Sequence, residues 1–107
     1  MVVVVFRARL KPGIEKEIVE TDARMAALAA TMPGFVSYRQ YASADGEGVS
    51  IVEFESHETV AAWRAHPEHR EAQRLGRERW FAEFRITVCD MVRDYSFEAK
   101  HQPVASH

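Results

Sequence analysis

The chain is predicted to be an α+β domain of β-α-β-β-α-β order, on three observations. Apolar residues recur with a period of two in Val2–Leu10, β-rich runs lie at Phe35–Ala42 and Val49–Glu55, and Phe84–Phe97 is apolar or mixed on both faces. Helix-period segments follow the first and third of these runs, and Pro, Gly and Asp residues punctuate the junctions. Right-handed crossovers fold that order into a ferredoxin-like layer, a four-stranded antiparallel sheet with both helices on one face.

Each element has its own residue-level reason. In the first run Val2, Val4, Phe6, Ala8 and Leu10 share one face and Val3, Val5, Arg7 and Arg9 the other. Lys11-Pro12-Gly13 ends it, and Pro12 stands where a proline opens a helix. From Ile14 to Met32 the residues Ile14, Ile18, Met25, Leu28 and Met32 recur near helical spacing, with alanines between them, until Pro33-Gly34 stops the helix. The next two runs flank a polar loop containing Asp45-Gly46 and form a hairpin. Ser56 caps a second helical region with Glu58 in its first turn. That region bends at His66-Pro67, because a residue before proline is pushed out of the helical conformation, and restarts to about Trp80. The last run, Phe84 to Phe97, carries Phe84, Ile86, Val88 and Val92 on one face and Cys89, Met91, Tyr95 and Phe97 on the other, so both faces are expected to be covered.

At 107 residues the chain fits one domain, residues 1–97, followed by a polar tail, 98–107. The net charge is −2 with both signs interspersed, which excludes the basic field of a nucleic-acid partner. The Val2–Phe6 run is too short for a signal segment or a membrane span and is followed at once by Arg7, so no membrane association and a cytoplasmic setting are expected. Cys89 is the single cysteine and reads as a buried, inert thiol. Arg7, Arg9 and Arg39 are expected in buried ion pairs with Glu53 or Glu55, or at the rim of a dimer.

Helices on one sheet face leave the other, with Val3, Val5 and Met91, as an apolar patch. A second copy packed sheet to sheet about a two-fold axis is the simplest cover, so a homodimer is expected.

Val5-Phe6-Arg7-Ala8-Arg9-Leu10-Lys11-Pro12-Gly13, then Ala62-Trp63-Arg64-Ala65-His66-Pro67-Glu68-His69, then Ala72-Gln73, Gly76-Arg77 and Trp80-Phe81, resemble the antibiotic biosynthesis monooxygenase family. The resemblance runs from Val2 to Phe97 and implies a dimeric α+β barrel. It further implies oxidation of a small phenol or quinol, aromatic or polyketide-derived, by O₂ with no cofactor and no metal, or else haem degradation. Such chemistry needs an apolar pocket that binds the phenol, removes a proton, stabilises the anion and excludes water. The place for it is between the inner sheet face and the helices.

Trp63 and His66 match the motif and are the candidate catalytic residues; Phe6, Tyr38 and Phe81 are the candidate substrate-binding residues. Each has a plainer reading. Trp63 suits a core, His66 a helix N-terminus and His69 a solvated surface, while Tyr38 and Tyr41 cannot both face one pocket. Two histidines without a third ligand make an incomplete metal sphere. The haem-degrading branch carries an asparagine late in the first strand and a histidine ten positions after the tryptophan, where this chain has Phe6 and Gln73. Glutamine is a poor axial ligand, so haem degradation ranks below quinol oxidation. The alternative from another class is a non-catalytic dimeric module that binds a small hydrophobic ligand.

Overall fold

The structure, a computed structural model, describes residues 1–100. Its elements are β1 (Val2–Leu10), α1 (Glu15–Thr31), β2 (Phe35–Ala42), β3 (Gly48–Phe54), α2 (His57–Ala65), α3 (Pro67–Leu75), a π-helical turn (Gly76–Trp80) and β4 (Phe81–Asp90). The four strands form one antiparallel sheet of order β2-β3-β1-β4, the ferredoxin-like arrangement expected from the element order. Of the expected polar tail 98–107, positions 101–107 lie outside the described residues.

Val2, Val4 and Ala8 are buried on the helix side of β1, as the alternation requires, while Val3 and Val5 on the opposite face are only half-buried. The core joins Val2, Val4, Ala29, Val52, Phe54, Val60 and Trp63. Helix α1 contributes Ile18, Thr21, Met25 and Ala29, and the buried Thr21 hydroxyl donates back to the Glu17 carbonyl at 3.1 Å. Pro12 does not open this helix. It lies in the turn with Gly13, and α1 begins at Glu15. Ser56 caps α2 in a reciprocal box with Thr59, each side chain accepting the other residue's backbone N–H at 3.1–3.2 Å.

Gly34 packs against that box. Its φ is +83°, and a Cβ there would stand 2.5 Å from Cγ2 of Thr59, so the position rejects any side chain on both conformational and steric grounds. Gly34→Ala is expected to lower the unfolding free energy by about 2 kcal/mol or more. Urea denaturation with an unchanged midpoint would show that the turn and the cap adjust without cost.

Three expectations need correction. Strand β4 starts at Phe81 and stops at Asp90, well short of Phe97. Pairing accompanies both ends: Leu10 meets Phe81 across a bulge, Val2 meets Asp90, and Met91 N–H donates to the Met1 carbonyl at 3.0 Å. Val92, Tyr95 and Phe97 are accordingly 84%, 82% and 91% exposed rather than covered. Cys89 is exposed in the single chain, not buried. Arg7 pairs with Glu47, and Arg9 with Asp45 and Glu83, all at the surface; neither uses Glu53 or Glu55, because the β2–β3 loop folds over the end of β1 and offers nearer carboxylates. Among the described residues no helix is long and apolar enough to cross a membrane.

Candidate active site

Between the inner sheet face and the helices lies a cavity of about 120 Å³ of water-accessible space. Its sheet wall comes from Val4, Phe6, Tyr38, Ser50, Val52 and Ile86, and its helix wall from Ile18, Asp22, Trp63, His69, Gln73 and Trp80. Two aromatic groups shape it. Trp63 stacks on Phe54 at 5.4 Å and meets Tyr38 edge-on at 6.2 Å, while Phe6, Phe81 and Phe84 form a trio with ring centroids 5.3–5.8 Å apart. The second group depends on a glycine: Gly76, which opens the π-helical turn, would place a Cβ 2.6 Å from the Phe81 ring. Any side chain there would push Phe81 off the wall.

Phe6, Tyr38, Trp63 and Phe81 all line the cavity; His66 does not. It sits at the junction of α2 and α3, its N–H donating to the Trp63 carbonyl at 3.1 Å and its Nδ1 accepting the Glu68 N–H at 3.2 Å. It caps a helix. The solvated residue of the pair was expected to be His69, yet His69 is half-buried and its ring stands edge-on to Trp63 at 4.4 Å. Tyr41 is exposed on the other face of β2.

Three lining groups are displaced from their ordinary ionisation. Burial, helped by the nearby Arg64 cation, pushes the His69 imidazole down to about 4, so it is neutral at physiological pH. Burial raises the Asp22 carboxyl, opposed by the Gln40 side chain. Burial and then the Asp22 charge raise the Tyr38 phenol, which stays protonated. The cavity therefore holds a carboxyl reluctant to ionise and an imidazole reluctant to protonate, a pairing typical of sites that move protons. Asp22 was not among the sequence candidates. A signal existed, since it falls at helical spacing between Ile18 and Met25 on the buried stripe of α1, where a carboxylate is out of place. The indole N–H groups of Trp63 and Trp80 are buried without an acceptor among the described residues. No three His, Cys, Asp or Glu side chains among those residues converge as metal ligands.

His69 carries a pH prediction. Its folded-state value of about 4 lies below the ordinary 6.5, so the unfolded chain binds the extra proton and stability falls as pH drops from about 6.5 to 4. Allowing for partial solvent screening, the loss is about 2 kcal/mol. Urea unfolding at pH 7.5 and 4.5 checks it: His69→Gln should remove that share of the difference, and an equal pH response in both proteins would contradict the assignment.

The chain matches the antibiotic biosynthesis monooxygenase family over residues 1–75. The protein YqjZ of Bacillus subtilis (strain 168) is 34% identical over 79 residues, which span 74% of this chain and 69% of YqjZ. Among solved structures, Rv0793 from Mycobacterium tuberculosis is similar with a TM-score of 0.80 at 23% identity, over 89% of this chain and 98% of that chain. SnoaB, a cofactor-independent oxygenase from Streptomyces nogalater, is similar with a TM-score of 0.73 at 22% identity, over 87% of this chain and 94% of that chain. Identities this low speak for the fold alone. The match over most of the sequence and the identity to YqjZ speak for more: this chain belongs to the antibiotic biosynthesis monooxygenase family.

Proposed function

We propose that the protein is a cofactor-independent monooxygenase that oxidises a small phenol or quinol with O₂. The observation that carries this reading is the aromatic-walled cavity in which a carboxyl, Asp22, and a neutral imidazole, His69, stand among apolar side chains. Family membership and the likeness to SnoaB, named as a cofactor-independent oxygenase, support it.

Trp63, Phe6, Phe81 and Tyr38 flank the substrate ring and exclude water. Asp22 accepts the substrate proton; its raised basicity brings it closer to a phenol's and so favours the transfer. The ionised ring then gives one electron to O₂, and the resulting radical pair combines to form a C–O bond. At a ring methylene, loss of water from the peroxide leaves a carbonyl: CH₂ plus O₂ becomes C=O plus H₂O, with every electron drawn from the substrate. His66, at the start of α3, orients the helix that carries His69 and takes a positioning role.

A homodimer formed through the outer sheet face belongs to the same reading. It is supported by half-buried Val3 and Val5, exposed Cys89 and the bare apolar side chains of Val92, Tyr95 and Phe97.

The test is oxygen uptake by metal-stripped protein with a panel of hydroquinones and hydroxyanthrones. One O₂ consumed per substrate, with one labelled oxygen atom in the product, is the expected result. Ligand binding without uptake across the panel would leave the non-catalytic binding module in its place.

A further inference from the structure

The wall of the cavity formed by α2, α3 and the π-helical turn carries donors and cations without a carboxylate. Arg64 and Arg77 both line the cavity, and neither has an ion-pair partner among the described residues. The nearby acids are engaged elsewhere. Glu71 and Glu78 bind Arg74, with Glu78 2.6 Å from it, and Glu17 binds Arg79 at 3.2 Å. Arg77 lies over the Phe84 ring at 5.9 Å, which holds its guanidinium beside the aromatic trio.

His69 belongs to the same wall, and its tautomer is set from behind. Gln73 places its Nε2 2.9 Å from His69 Nδ1 and 3.4 Å from the Arg64 carbonyl. A carbonyl can only accept, so the atom facing both partners is the amide nitrogen, and it donates to Nδ1. The proton of the neutral ring then resides on Nε2. His69 is thereby a hydrogen-bond donor rather than a base. The one lining carboxyl, Asp22, comes from α1, on another wall.

From this arrangement we infer that Arg64, Arg77 and the Nε2–H of His69 form an anion subsite, which selects aromatic ligands bearing a negatively charged oxygen group, phenolate or carboxylate. Two guanidiniums and a neutral N–H stabilise an oxyanion without offering it a proton acceptor. Gln73 is a positioning residue: it fixes which imidazole nitrogen faces the ligand. The inference rests on the proposed reading of this cavity as the substrate site. It adds the charge state in which the ligand is held and the residues that choose it.

The test uses three probes of one shape class: 4-nitrophenol, whose neutral and ionised forms absorb differently, 4-nitrobenzoate, and uncharged 4-nitroanisole. The expected result is binding of nitrophenol as its anion, with its apparent ionisation shifted to lower pH, and a preference of about tenfold or more over nitroanisole. A matching preference for nitrobenzoate shows that the subsite reads charge; preference for nitrophenol alone narrows it to phenolates. Arg64→Gln and Arg77→Gln should each reduce the preference several-fold, and His69→Phe should reduce the ionisation shift, with thermal unfolding confirming that each variant folds. Equal binding of nitroanisole, an unshifted ionisation, no binding of any probe, or a preference that survives both arginine replacements would overturn the inference. Oxygen uptake is scored separately. Uptake without anion preference would sink the subsite and keep the monooxygenase, and anion preference without uptake would do the reverse.

Discussion

Trp63→Ala is expected to lower the unfolding free energy by about 3–5 kcal/mol, the cost of emptying a large aromatic site in a close-packed core. Trp63 is 5% exposed and contacts Phe54, Tyr38 and His69, so its removal leaves faces of three rings without a neighbour. For a domain whose total stability is about 5–15 kcal/mol, the melting temperature should fall by on the order of 15–30 °C. Trp63→Phe should behave differently. It keeps most of the ring contact and deletes an indole N–H that is buried without an acceptor, so its cost should stay below about 1.5 kcal/mol. Thermal melts of the two variants check this, and similar losses in both would show that the indole N–H has a partner of consequence. The proposed oxygen uptake should be lost in Trp63→Ala. In Trp63→Phe, where the wall persists, it should be reduced but measurable.

Asp22→Asn is expected to separate stability from activity. The carboxyl is raised by burial, so its ionised form costs stability above its folded-state value, and a neutral isostere removes that cost at pH 7. A gain of about 1 kcal/mol is expected at neutral pH, vanishing in acid where both side chains are uncharged. The proposed oxygen uptake should fall by about 10²–10⁴-fold, the usual contribution of a placed general base. A stabilised variant with undiminished uptake would remove Asp22 from the proposed chemistry. A destabilised one would show that its charge is satisfied within the cavity wall.

Much of the architecture follows from local periodicity. The alternation in Val2–Leu10 placed Val2, Val4 and Ala8 in the core, the helical spacing of Ile18 and Met25 oriented α1, and Pro67 marked the break between α2 and α3. These succeed because strand and helix periods bind each residue to a face once one face is buried. The end of β4 was not legible in the same way. Apolar alternation continues to Phe97, but a strand exists only where another backbone pairs with it, and β1 pairs with β4 no further than Asp90.

The histidines show the same divide at the site. In one continuous helix His66 would lie about 60° from Trp63 and His69 about 120° from it, which would put His66 nearer the tryptophan. Pro67 breaks the phase. The new helix starts from a His66 in extended conformation, turns that residue into a cap, and swings His69 onto the Trp63 ring. The sequence by itself determined the element order, the buried stripes of β1 and α1, and the family. Tertiary structure decided which histidine faces the cavity, that Asp22 is withdrawn from water beside Tyr38, and that Arg64 and Arg77 are left without carboxylate partners among the described residues. The physical reason is that periodicity fixes direction only within an unbroken element, whereas burial, pairing and charge depend on neighbours that the chain brings together from a distance.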